Sequence, residues 1–180
     1  MDKNNLLNIN LILSYLPPET DSVTADLGCG NFGHLVFPLA KLVGRRGLVY
    51  AVDVQKSCLE EIDHKIKVEN WSQVKTVWSD LEVLNATAIP AGSLDSALIV
   101  TTLNQADDKV AMISEARRLL KKGGRLVLVD WKQDSDYILS VSGKGLDAKE
   151  MENLFLSIGF TKLDEFIPGD YYFGLVFIKK

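Results

Sequence analysis

The chain has 180 residues, 47% of them apolar and 24% charged, with a net charge of −4. That length suits one domain able to bury its own core. The slight acidity argues against a sequence-independent grip on nucleic acid, which needs clustered Lys and Arg, and no run is long and apolar enough to span a bilayer.

In chain order, Leu6, Ile9, Leu13 and Leu16 fall at helical spacing until Pro17-Pro18 ends the pattern. They predict an amphipathic helix within Asn4 to Leu16. The segment lacks a basic start and a small-residue cleavage site, so it does not read as a signal peptide. Val23 to Leu27 reads as a short apolar strand, followed by the Gly-rich stretch from Gly28 to Gly33. Phe37, Leu39, Ala40, Leu42 and Val43 mark a helix that ends at Gly44, and Leu48 to Asp53 is the second strand. Ser57 and Glu60 have capping-box spacing, which predicts a helix from there toward Glu69. Val74 to Trp78 is a third strand and Leu94 to Thr101 a fourth.

A further helix is expected from Asp107 to Lys122, with acids at its positive end and Lys121-Lys122 at its negative one. Gly123-Gly124 would stop it. Arg125 to Asp130, with Leu126 to Val129 all apolar, suits a strand buried on both faces of a parallel sheet. Asp147, three residues before Glu150, opens a helix that Gly159 closes. Phe160 to Ile167, Pro168-Gly169-Asp170 and Tyr171 to Ile178 then read as a β-hairpin. The alternation of strands and helices predicts one doubly wound α/β domain, with a seven-stranded, mostly parallel sheet and a C-terminal antiparallel hairpin.

Cys29 and Cys58 form no Cys-x-x-Cys pair, and His34 and His64 are the only histidines. Little material exists for a metal site, and a reducing, cytoplasmic compartment is expected.

Gly28-Cys29-Gly30-Asn31-Phe32-Gly33 satisfies G-x-G-x-x-G between a strand and a helix. The glycines allow a tight turn and close approach of a ligand, and the helix start offers N–H groups to an anion. Dinucleotide sites share this pattern. Asp26, two residues before the first glycine, separates the readings. It would repel a pyrophosphate, yet it can hold the cationic ammonium and sulfonium of S-adenosylmethionine.

The segment Ala25-Asp26-Leu27-Gly28-Cys29-Gly30 closely resembles motif I of class I S-adenosylmethionine-dependent methyltransferases. Ser93 to Val100 and Glu115 to Asp130 resemble that family's fourth strand and its helix-to-fifth-strand segment. The nearest likeness is to the compact type-11-like group, similar to the quinone-biosynthesis C-methyltransferases. The resemblance implies a Rossmann-like fold over residues 1–180, with residues 1–16 as a helix covering the active site. It implies S-adenosylmethionine as cofactor and S-adenosylhomocysteine as product. Asp26, Gly28, Cys29 and Gly30 would hold the methionine end, bordered by Thr101 and Thr102. Asp53, with Val54 beside it, would take the ribose hydroxyls, a role an NAD enzyme also gives such an acid. Asp80 and the Leu81 N–H would face the adenine.

Methyl transfer from a sulfonium leaves a neutral leaving group, so placing the acceptor supplies most of the catalysis. A base is needed only if the acceptor loses a proton. No catalytic residue stands out; Asn104, Lys132 and Tyr137 are the polar residues that topology places toward an acceptor. Thr101-Thr102-Leu103-Asn104 replaces the Asn/Asp-Pro-Pro-aromatic motif of nucleic-acid amine methyltransferases, and two cysteines are too few for arsenite methylation. After Trp131-Lys132 the chain carries Asp134-Ser135-Asp136-Tyr137 where similar enzymes carry a Gly-Pro-Pro run. A small organic acceptor, or one presented by a partner, is expected, and a homo-oligomer is left open. His34 begins the helix after the loop, and Trp78 and Trp131 could stack on a ligand or pack in the core. Arg45-Arg46 and Lys121-Lys122 lie opposite the ligand crevice and are expected to cap helix ends. The rivals are a noncatalytic S-adenosylmethionine-binding scaffold and an NAD-dependent oxidoreductase; for the latter, no Tyr-x-x-x-Lys pair is present.

Overall fold

A parallel strand covered by helices on both faces needs apolar side chains at nearly every position, and the middle of this sheet has them. The computed structural model describes residues 7–17, 20–133 and 145–180. In it β1 (Val23–Leu27), β2 (Leu48–Asp53), β3 (Val74–Trp78), β4 (Leu94–Val100) and β5 (Leu120–Trp131) pair in parallel. β6 (Phe160–Phe166) and β7 (Tyr172–Lys179) form the antiparallel hairpin. The order across the sheet is β3-β2-β1-β4-β5-β7-β6. β7 therefore lies inside the sheet, paired with β5 from Arg125↔Ile178 to Trp131↔Tyr172. This is the doubly wound, seven-stranded, mostly parallel architecture that the strand signals predict.

Ala97, Ile99, Leu126 and Leu128 face one helical layer, where they join Met112 and Ile113 of α4 (Lys109–Leu119) and Met151 and Phe155 of α5 (Ala148–Ser157). Leu98, Val100, Val127 and Val129 face the other. There they join Ile12 of α1 (Ile9–Ser14), Leu39 of α2 (Val36–Val43) and Ile62 of α3 (Lys56–Glu69). Each fully buried aliphatic side chain contributes roughly 1.5–3 kcal/mol. The two layers thus fix the register of β1, β2 and β4, whose carboxyl ends carry the polar residues of interest.

Several boundaries differ from expectation. α4 ends at Leu119, not Lys122, because Leu120 turns extended and buries its side chain while pairing with Leu94. Gly123-Gly124 does not stop the helix. It sits in an irregular stretch of β5 where the register jumps from Leu94↔Leu120 to Ser96↔Arg125, with Gly123 at φ +77°. Lys121 accordingly caps no helix; its ammonium pairs with Asp95, and Arg46 pairs with Asp21 at 2.8 Å. The capping box at Ser57 does not form either. α3 starts at Lys56, since the Gln55 carbonyl already accepts the Cys58 N–H at 3.1 Å. The fourth strand stops at Val100, because Thr101 takes a left-handed conformation at φ +53°.

At the N-terminal side, Asn8 caps α1 by accepting the Leu11 N–H at 3.0 Å. The helix is tied to the hairpin: the Asn8 N–H donates to the Pro168 carbonyl at 2.8 Å, and Tyr15 stacks on Phe166 at 4.1 Å. The residues expected to begin this helix, Asn4 to Leu6, lie outside the described residues.

Candidate cofactor site

Ligands of open α/β sheets bind outside the carboxyl ends of the strands, where the chain order reverses. Here β1 lies between β2 and β4, and a cavity of about 630 Å³ opens over these ends. Asp26, Gly28, Cys29, Gly30, Asp53, Val54, Asp80, Leu81, Thr101 and Thr102, the ten residues assigned to the cofactor from the sequence, all line it.

Asp26 is 1% exposed, and neither carboxylate oxygen has a hydrogen-bond partner. Burial, reinforced by the negative charge of Asp53, raises its pKa to about 7. A charge so placed costs several kcal/mol unless a partner neutralises it.

The glycine loop leaves β1 with Gly28 at φ +86°, and the Gly28 and Cys29 N–H groups both donate to the Val52 carbonyl at 2.8 and 2.9 Å. A Cβ on Gly28 would lie 2.3 Å from Cγ2 of Thr102, so only glycine fits. The Thr102 hydroxyl meanwhile donates to the carbonyls of Gly28 and Val100.

Asp53 is anchored from two sides. Oδ2 accepts the Gly30 N–H and Oδ1 the Gln55 N–H, each at 2.8 Å. A carboxylate oxygen can accept more than one bond, so both keep capacity for a ligand hydroxyl. Asp80 is exposed, and its Oδ1 accepts the Glu82 N–H at 2.9 Å. The loop beyond is held by Glu115 of α4, which is fully buried. Glu115 accepts the Asn85 and Thr87 N–H groups and both reachable nitrogens of Arg118, the latter at 2.7 Å. Burial pushes its pKa up, but Arg118 and the N–H donors outweigh that and leave it at about 2.

The cavity also takes in Ile9 of the N-terminal helical pattern and residues that periodicity did not single out: Leu7, Phe32, Leu35, Gln55, Cys58, Ser79, Glu82, Gln105 and Met112 among them. Phe32 carried a local signal in its place within the loop. It is 64% exposed at φ +67°, uncommon for a bulky side chain. His34 lies on the wall with its ring 5.9 Å from that of Phe32. Asn104 and Lys132 are not on the wall. Asn104 is buried with its N–H on Asp130, and the Lys132 ammonium donates to the Asp170 carbonyl. Tyr137 lies outside the described residues. Trp78 is exposed, donating to the Val54 carbonyl under Lys56, whereas Trp131 packs on Tyr172. Burial pushes the thiols of Cys29 and Cys58 up, away from nucleophilic use. Among the described residues no His, Cys, Asp or Glu cluster could hold a metal, and no helix is long and apolar enough to cross a membrane.

The sequence profile of the methyltransferase domain family matches residues 19–156. The chain is 28% identical over 171 aligned positions to the demethylmenaquinone methyltransferase of Lactococcus lactis, spanning 77% of this chain and 66% of that one. It is also 28% identical over 118 positions to the 2-phytyl-1,4-naphtoquinone methyltransferase of Nostoc punctiforme, spanning 66% and 50%. Across the curated relatives it matches, the chain covers from 34% to 79% of their length. A solved S-adenosylmethionine-dependent methyltransferase from Aquifex aeolicus shares the fold with a TM-score of 0.80, over 97% of this chain and 91% of that one at 21% identity. The chain belongs to the methyltransferase domain family, as a class I member of type-11 kind, a family whose cofactor is S-adenosylmethionine and whose product is S-adenosylhomocysteine. An NAD-dependent oxidoreductase is thereby set aside.

Proposed function

We propose that this chain transfers a methyl group from S-adenosylmethionine to a small organic acceptor by in-line displacement. The observation that carries the reading is Asp26, a buried carboxylate on the cavity wall with no protein partner. The cofactor supplies an electrophilic methyl group on a sulfonium, and its cationic methionine end suits that carboxylate. Asp53 takes the ribose hydroxyls on the lone pairs left by Gly30 and Gln55. Asp80 and Leu81 meet the adenine at the edge nearest β3.

The acceptor takes the side walled by Leu7, Ile9, Phe32 and Leu35. These four side chains are apolar, with His34 and Asn31 lining the same cavity, which favours a flat, weakly polar acceptor over a charged one. Two of the curated relatives are named for methylating quinone precursors, acceptors of this kind. His34 is the wall's candidate base if the acceptor must lose a proton. Leu7 and Ile9 of the N-terminal segment form part of the wall, which supports a covering role for that segment.

Calorimetric titration with S-adenosylhomocysteine and, separately, NADH tests the reading, on the wild type and on Asp53→Ala. Micromolar binding of S-adenosylhomocysteine alone is expected. In Asp53→Ala it should weaken by one to two orders of magnitude, as hydrogen bonds to a charged group contribute about 1.5–3 kcal/mol. Binding of NADH alone would overturn the proposal, and so would binding of neither. Deleting residues 1–16 should lower turnover once an acceptor is in hand; unchanged rates would remove the cover from the reading.

A further inference from the structure

We infer that Asp130 is a positioning residue, clamping the turn after β4 so that Thr101 and Thr102 close on the methionine end of the cofactor. The inference rests on the cofactor placement proposed above, and it concerns a side chain that does not itself line the cavity.

Asp130 is the penultimate residue of β5 and is 0% exposed. An unmet carboxylate at such a depth would be expelled or neutralised, but this one is met. Oδ1 accepts the Trp131 N–H at 2.9 Å and Oδ2 accepts the Asn104 N–H at 3.1 Å, with the Leu103 N–H nearby favouring the charged form. Lys109 is the cation whose charge reaches it, while the Lys109 ammonium donates to the Ala106 carbonyl at 2.8 Å.

What these bonds hold is an awkward piece of chain. β4 ends at Val100, and Thr101 then takes φ +53°, a left-handed conformation that a β-branched residue rarely adopts. One 3-10 turn, Leu103–Gln105, follows. The first N–H groups of a helical turn have no partner within it, and here they face the core, where water cannot serve them. Asp130 serves them instead. The rest of the turn is bound as closely: the Thr101 N–H donates to the Val129 carbonyl at 2.8 Å, and the Gln105 amide donates to the Thr101 carbonyl at 2.6 Å. Strained backbone persists where its surroundings over-determine it, and such places cluster at functional sites.

The clamp acts toward the cavity. Thr102 is wedged against Gly28, with its hydroxyl on the Gly28 carbonyl, so the position of the turn sets the gap between it and the glycine loop. An apolar residue at position 130 would leave the N–H donors unpaired, and an Asn would turn an amide N–H₂ toward one of them.

The test compares two ligands that share adenosine, S-adenosylhomocysteine and 5′-methylthioadenosine, of which only the first carries the amino-acid end. The wild type should prefer S-adenosylhomocysteine. Asp130→Asn should weaken that ligand about tenfold, or about 1.4 kcal/mol, and leave 5′-methylthioadenosine within about twofold, a split that a loss of general stability does not produce. A variant that keeps the wild-type ratio overturns the inference alone. A wild type with no preference overturns the cofactor placement and the inference together. Should Asp130→Asn not fold, hydrogen exchange on the wild type decides. The Asn104 amide should be as protected as those of β4, and exchange at an unprotected rate would sink the clamp.

Discussion

Replacing Asp26 by Asn measures what the buried carboxylate costs the ligand-free protein. The carboxyl titrates at about 7 in the folded chain against 3.8 for the free side chain. For an acid whose folded pKa is raised, the effect on stability is opposite to that of an ion-paired carboxylate. Below 3.8 both states are protonated and nothing is lost. Between 3.8 and about 7 the unfolded chain ionises while the folded one does not, so stability falls as pH rises; above about 7 the loss is complete. At about 1.4 kcal/mol per pKa unit the full loss is roughly 4 kcal/mol, of which somewhat under half is already present at pH 5. Asn keeps the shape without the charge. Its advantage in thermal unfolding should therefore grow by about 2–3 kcal/mol between pH 5 and pH 8, or about 4–12 °C for a chain of this size. Asp130, whose burial also raises its pKa to about 7, is common to both proteins and cancels from the difference. Melting curves at the two pH values suffice. An advantage that is the same at both would refute the reasoning, because a pH-independent gain would come from packing and not from charge. The stabilised variant should also have lost S-adenosylhomocysteine binding, the trade expected of a group kept for function.

Two other substitutions probe the walls of the site. Gly28→Ala places a Cβ against Thr102 at a backbone angle of +86°; it should lose about 1–3 kcal/mol in denaturant titrations and weaken S-adenosylhomocysteine, whereas wild-type stability would contradict the close approach. Glu115→Ala leaves the Asn85 and Thr87 N–H groups without their acceptor and Arg118 without its carboxylate, holding only the Thr87 and Ile89 carbonyls. Breaking a buried pair costs about 3–5 kcal/mol, so its melting point should fall by about 6–20 °C; a fall under about 3 °C would show that the loop stands without this staple.

The strands were legible because parallel pairing demands apolar residues on both faces, and Leu126 to Val129 satisfy both layers at once. The cavity wall was legible because Asp26, Asp53 and Asp80 stand at or just beyond strand ends, which topology alone brings together. Gly123-Gly124 misled, since two glycines after a helical pattern look the same whether they stop a helix or loosen a strand. Only the pull of Leu120 into the core decides between them. Ser57 misled for a related reason: a cap signal holds only if the helix starts there, and Asp53 and Gln55 start it earlier. Asp130 passed unnoticed as a strand-end acid. What marks it is the set of N–H groups from a turn some twenty-six residues earlier, and no local pattern encodes that distance.

The placement of β7 between β5 and β6 bears on how the chain can be made. A ribosome releases the parallel strands in order, and they can assemble as they emerge. β5 then presents a bare, apolar edge until Tyr172–Lys179 arrives to cover it. For that interval the nascent chain carries an open pairing template, the kind of surface that recruits other chains. A stall or truncation before residue 172 would leave it permanently uncovered, so damaged messages for this protein should yield aggregates and not partly active fragments.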